Sequence, residues 1–452
     1  MSNTARFILI LLSLLLLIYF LTPLPPKTTL ALSAGAIILI ISFLSTESAL
    51  YLLIFSMLLS PEIVIAQTPD REVTIRSEDI ILSIIIFGWL ARTAVFKELG
   101  LFVKTPLNRP ILIYSLLCII ATLIGLYAGR VNIYSGFFFT LKYIQYFFIY
   151  FMVLNNVREI RQVKRFAIAM LLTCFIISLY GLYQIPQGGR VTAPFEGVHG
   201  GEPNTLGGYL VLILSITLGL LASLKRRHER LLLAGLAILI VFPLMFTLSR
   251  SSWLALIPMS LVFITMSERR MLFLLVFLIL ALSIPFVVPA TVKERAITTF
   301  KEAEGFERTA RIGRIAFDPS ASERILGFRD AIKAWKKKPV LGYGVTGKGF
   351  IDSQYFRVLV EVGFLGVVAF LWLIWTVLKS SWLTYNSLKE PFLKGLSFGF
   401  IAGTAGLLVH AIGANTFIIV RIMEPYWFLA ALVLTAPRLI EDSYSKPQVV
   451  VN

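Results

Sequence analysis

Long apolar runs recur along almost the whole chain, and most are about as long as a helix that crosses a bilayer, which takes about 17–25 residues. Inside lipid no water is present to bond exposed peptide groups, so a spanning segment must satisfy its own backbone, and a run of that length does so as a helix. About fourteen spans are legible, 12 to 14 once the short ones are allowed for: 7–22, 28–45, 49–66, 80–96, 111–128, 136–154, 166–184, 205–223, 231–248, 251–267, 271–288, 355–378, 396–413 and 423–437. Of the 452 residues 57% are hydrophobic and only 15% charged, whereas a soluble domain has about a quarter of its residues charged. The fold class this implies is an all-α polytopic membrane protein with one long outer loop.

The net charge of +17 does not call for a nucleic-acid partner. Much of it lies in short connections, where Lys and Arg set orientation. With the N-terminus inside, the clusters Arg158/Arg161/Lys164/Arg165, Lys225/Arg226/Arg227/Arg230, Arg269/Arg270 and Lys379/Lys389/Lys394 all fall on the cytoplasmic side. The N-terminal run after Arg6 resembles a signal peptide, but PLPPK offers no small-x-small cleavage site, so 7–22 is kept as a span. Cys118 and Cys174 fall within apolar spans as packing residues. No internal repeat is visible. The expected organisation is one membrane domain: transmembrane helices over 1–288, an outer loop over 289–354, transmembrane helices over 355–437 and a cytoplasmic tail over 438–452.

The outer loop is the one long polar interruption, and it is itself basic. Within it a helix is expected over about 320–337, capped by Ser320 or Ser322, with an apolar stripe of Ile325, Phe328, Ile332 and Trp335. Arg324 would border that stripe, and Pro339 and Gly342 would end the helix.

Several polar residues stand where apolar ones are the rule. Arg250, in FTLSRSSWLAL, is either a functional charge beside Ser249 or an anchor snorkelling to headgroups. Arg324 is either a guanidinium fork for phosphate or a solvated helix charge. Arg190 suits an anion, and Asn204 either a sugar hydroxyl or a helix cap. Lys142 and His410 interrupt spans and either line a cavity or pair within the bundle. Asp352, in the triplet Asp352-Ser353-Gln354 before Tyr355, is a general base, a hydroxyl-orienting group or a helix cap. His199 and His228 are given no role. No His/Cys cluster and no Gly-rich nucleotide loop is present, so no metal, no cofactor and no nucleotide-sugar donor is expected.

Three stretches together resemble the O-antigen ligase and polymerase family of bacterial envelope glycan enzymes. They are TLSRSSWLAL with Ser249 and Arg250; SERILGFRDAIKAWKKKPVLGYG with Arg324, Trp335, Pro339, Gly342 and Gly344; and DSQYFRVLVEVGFLG with Tyr355, Leu359, Glu361 and Gly363. Arg190 with Asn204-Thr205-Leu206-Gly207 is a weaker match. The resemblance implies a multi-pass protein of the bacterial inner membrane with its site facing the periplasm. It implies metal-independent glycosyl transfer from a glycan on undecaprenyl pyrophosphate to a glycan hydroxyl, among membrane lipid. A chain-length regulator or flippase would be a compatible partner. Arg250, Arg324 and Asp352 would be catalytic. Arg190, Asn204, Lys142, Ser249, Gln354, Tyr355 and His410 would bind substrate. Ligases of the family usually carry His where this chain has Asp352; Asp there is more like the polymerase branch. Ligation to a lipid A core is the alternative activity, and a lipid-linked sugar transporter or flippase the alternative of another class.

Overall fold

The computed structural model describes residues 26–68, 71–95, 103–195, 201–287, 290–298, 311–312, 315–316, 318–349 and 351–445. The expected first span at 7–22, His199, most of the stretch 299–317 and the tail from 446 lie outside the described residues.

The expected spans from 28–45 onward, apart from 49–66 and 355–378, each coincide with a helix. In chain order the helices are α1 (Pro26–Leu44), α2 (Thr46–Leu59), α3 (Ser77–Val95), α4 (Asn108–Tyr127), α5 (Ile133–Asn156), α6 (Ile160–Gln184), α7 (Pro203–Ser223), α8 (Arg227–Phe246), α9 (Arg250–Met266) and α10 (Arg270–Val287). The long loop carries α11 (Ala290–Thr298) and α12 (Pro319–Lys337), followed by α13 (Gln354–Glu361), α14 (Gly363–Ser387), α15 (Pro391–His410) and α16 (Val420–Ser445). Among the described residues, seven helices are long and apolar enough to cross a membrane: α4 to α8, α14 and α15. Shorter apolar stretches lie in α1, α2, α9 and α10. The chain is an all-α polytopic membrane protein.

Two expectations need correcting. The span at 49–66 ends at Leu59, because Ser60-Pro61 stops the helix and a hairpin of β1 (Glu62–Thr68) and β2 (Arg71–Arg76) follows. The span at 355–378 is two helices. They meet at Gly363, whose φ of +76° only glycine adopts readily. A short pair, β3 (Arg311–Ile312) and β4 (Ile315–Ala316), interrupts the long loop without altering the class.

Among the long apolar helices α7 and α15 are the most buried, and they form the centre of the bundle. They approach until a Cβ on Gly219 would strike the backbone of Gly395 and Gly399, so small residues set their spacing. Around them Trp427 of α16 packs edge-on against Phe147 of α5, ring centroids 4.8 Å apart. Arg421 of α16 is fully buried and donates to the Ser60 carbonyl at 2.8 Å and the Pro194 carbonyl at 3.2 Å, tying two loops to one helix start. The ends of the bundle differ in charge pattern. At one end Lys164 pairs with Glu390 at 2.9 Å and Lys394 with Glu268 at 3.6 Å. At the other lie the N-termini of α7 and α9, the C-terminus of α15, and α12.

Candidate functional site

The site lies at that second end, where α12 covers the starts of α7 and α9. Its local structure begins at the turn between α8 and α9. Thr247 ends α8, Leu248 takes φ +51°, and Ser249 caps α9 by accepting from the Ser252 amide at 3.3 Å. This turn aims Arg250 at Asp318. Its two terminal nitrogens donate to the two carboxylate oxygens of Asp318, both at 2.9 Å. Such a fork-to-fork pair fixes the guanidinium plane. The Arg250 side chain is only 14% exposed and is held by protein.

Asp318 also corrects the expected helix start. It, not Ser320 or Ser322, caps α12, accepting the Ala321 amide at 3.0 Å, with Pro319 in the first turn. Asp followed by Pro is a helix-start signature present in the sequence. Burial would raise the Asp318 pKa, but hydrogen bonds from Arg250 and the Ala321 amide and the charges of Arg250 and Arg295 hold it below the usual carboxylate value. Arg295 of α11 reaches Asp318 Oδ2 at 3.7 Å. Sequence reasoning singled out neither Arg295 nor Asp318.

Six residues after Asp318, Arg324 Nε donates to Oδ2 of Asp352 at 2.9 Å, and its Nη2 lies 2.9 Å from the same oxygen. Two residues read separately from the sequence are thus one ion pair, and Asp352 is not a cap: Ser353 holds that position at the start of α13. The buried face of α12 is also rotated from the expected stripe. Ala331 and Ala334 are buried and Phe328 stacks on Phe356 at 4.5 Å, whereas Ile332 is exposed. Arg324 stands seven residues, about two turns, before Ala331, so it lies on the buried face rather than at its border. A methyl group on Gly413 would come within 3.7 Å of Arg324 Nη1, which places the loop after α15 against this guanidinium.

Arg190 closes the cluster. Its Nε donates to the Thr247 carbonyl at 2.9 Å and Nη2 to the Leu248 carbonyl at 3.3 Å. Desolvation and the positive charges of Arg295, Arg324 and Arg250 push its pKa down to about 10, so it stays a cation at neutral pH. Arg190, Arg250, Arg295 and Arg324 therefore share one field, with Asp318 and Asp352 as the carboxylates among them.

The other sequence candidates are placed differently. Ser249 donates to Asn204 Oδ1 at 2.7 Å, so both side chains join α9 to α7; Asn204 is not the cap, because Glu202 precedes α7. His410 is buried with Nδ1 2.7 Å from Thr416 Oγ1. Gln354 is buried and accepts the Phe417 amide at 3.1 Å, while the Tyr355 hydroxyl donates to the Leu408 carbonyl at 2.7 Å. The Lys142 ammonium lies over the Phe139 ring, 5.6 Å from the centroid.

The glycine-rich stretch and the Glu361-Gly363 stretch form a joint behind the site. The Tyr343 and Gly344 amides donate to the Val360 and Glu361 carbonyls at 2.9 and 2.8 Å, and the Phe364 amide donates to Pro339 at 2.8 Å. Gly342, at φ +65°, leaves no room for a side chain beneath the Val360 carbonyl. Glu361 is buried and accepts from Arg357 Nε at 3.1 Å, the Thr346 amide at 3.0 Å and the Tyr143 hydroxyl at 3.1 Å. Glu361 and these glycines therefore hold α12 and its loop in register.

No curated protein matches the chain. Residues 235–371 match the family model described as O-antigen ligase. That stretch contains Arg250, Arg295, Asp318, Arg324, Asp352 and the whole joint, and excludes Arg190, Asn204 and His410. Over that segment the chain is similar to the O-antigen ligase family.

Proposed function

We propose that the protein polymerises undecaprenyl-pyrophosphate-linked oligosaccharide repeat units at the outer face of the bacterial cytoplasmic membrane. The observation that carries the reading is the convergence of Arg190, Arg250, Arg295 and Arg324 at the end of the bundle away from the Lys164–Glu390 and Lys394–Glu268 pairs. Positive-inside asymmetry supports that end as the outer one.

In the reaction a hydroxyl oxygen of one glycan attacks the anomeric carbon of another. The bond from that carbon to the pyrophosphate oxygen breaks, and its electron pair leaves with the lipid pyrophosphate. Charge grows on the departing oxygens, so preorganised cations stabilise the transition state more than the ground state. Guanidinium forks match phosphate oxygens in geometry as well as in charge, which supports chemistry without a metal. Asp352 is the group for the attacking hydroxyl. Arg324 engages its Oδ2, which leaves Oδ1 to accept the hydroxyl hydrogen bond, orient the nucleophile and take its proton as the new bond forms. Asp at this position, where ligases of the family carry His, favours polymerase over ligase.

The test supplies purified protein with lipid-linked repeat units, EDTA and no other acceptor, and reads glycan length on a gel. A ladder is expected for the wild type. Removing one stabilising donor costs about 10²–10³ in rate, so Arg324→Ala should abolish it over the same period. No ladder, but transfer once a lipid A core is added, would make the protein a ligase. No transfer to any acceptor would refute glycosyl transfer and return the lipid-linked sugar transporter.

A further inference from the structure

The arginine that would hold the leaving pyrophosphate is already occupied by an anion belonging to the chain. Asp318 meets Arg250 with both carboxylate oxygens at 2.9 Å, and Arg295 stands 3.7 Å from the same group. A carboxylate bound this way presents two oxygens to the guanidinium edge, as a phosphate does. The two cannot occupy that edge together. The Asp318 side chain is 9% exposed, so water does little to weaken the contact.

Resting on the glycosyl-transfer reading, we propose that Asp318 is a resident competitor for pyrophosphate: it yields the Arg250 fork to the donor and returns to expel the product. The chemistry of the reaction gives this a purpose. The donor pyrophosphate is esterified at both ends, whereas the departing lipid pyrophosphate is esterified at one and carries a further ionisable oxygen. A cluster of four arginines therefore binds product more tightly than substrate, and turnover would stall at release. A carboxylate within the cluster lowers affinity for both, and competes for the fork at the moment the product must leave. The same side chain caps α12 through the Ala321 amide at 3.0 Å. When it moves aside, that amide and the positive end of the helix face the same position and stabilise the incoming anion.

A residue that only positioned Arg250 would behave in the opposite way, so one measurement separates the two. Asp318→Asn keeps the size and the capping ability but removes the charge. Inorganic pyrophosphate is titrated into the purified full-length protein in detergent with EDTA. The expected result is at least tenfold tighter binding in the variant, with slower multiple turnover. Binding that is unchanged or weaker than wild type overturns the inference and leaves Asp318 as a strut. Asp318→Ser, which also caps but is too short to hold the Arg250 fork, gives the same readout should the Asn variant fail to fold. The two readings fail separately: without glycosyl transfer no donor yields a ladder, whereas a failed competitor leaves the ladder intact and the dissociation constant unlowered. Absence of pyrophosphate binding in the wild type and both variants overturns the inference as well.

Discussion

The joint behind the site makes a quantitative prediction through Glu361 and Arg357. Their side chains are 2% and 5% exposed and 3.1 Å apart. Glu361→Gln keeps the shape, and an amide oxygen can still accept from Thr346. It leaves the Arg357 guanidinium buried without a counter-charge. Breaking a buried pair from one side costs about 3–5 kcal/mol, and Arg357→Met should cost a similar amount by stranding the carboxylate. Removing both charges removes the stranded partner too. The double variant should therefore cost no more than either single change, a coupling of about 3 kcal/mol. Equilibrium unfolding in mixed micelles, followed by tryptophan fluorescence, measures all four corners of the cycle. Additivity within about 0.5 kcal/mol, the behaviour of independent sites, would refute the claim that the pair acts as a unit.

Other outcomes follow from the same geometry. Arg324→Lys retains charge but loses the fork on Asp352; at about 1.5–3 kcal/mol for a charged hydrogen bond, the rate of ladder growth should fall about 10–100-fold, and equal rates would refute the role of the fork. Asp318 has a folded pKa below the usual 3.8, so its stabilising effect is present above that value and lost as pH falls through the depressed one; the melting difference between wild type and Asp318→Asn should stay constant from neutral to about pH 4 and shrink only below it. Gly363→Ala meets φ +76° and the Val340 carbonyl; it should lower stability by more than the about 1–2 kcal/mol of backbone strain alone, measured by the same unfolding assay.

The spans were legible in the sequence because lipid allows one solution for a long apolar run, and that solution is local. Arg250 and Arg324 were legible because a charge beside apolar residues is conspicuous. The rest depended on who meets whom. Asp318 and Arg250 are 68 residues apart, and nothing in either neighbourhood names the other. The partners of Ser249, Gln354 and Tyr355 (the Asn204 side chain, the Phe417 amide and the Leu408 carbonyl) are likewise distant in sequence, and a polar side chain near a span end does not name them. The stripe on α12 was misplaced for a related reason: Ala331 and Ala334 are small, yet closeness to α13 buries them in preference to the larger Ile332.

The joint also decides what can be inherited as a piece. The loop that carries Pro339 to Gly344 is hydrogen-bonded through its backbone to Val360, Glu361 and Phe364, and the Val345 amide donates to the Thr122 hydroxyl at 3.2 Å. Recombination between relatives that exchanged the outer loop alone would bring together a turn and a receiving edge shaped in different lineages. The transferable cassette runs from Asp318 through Gly363, cap to kink. A donor cassette would still need a hydroxyl waiting at the position of Thr122. Sequence can therefore vary on the exposed face of α12 at little cost to its seat, which changes only when both sides change together.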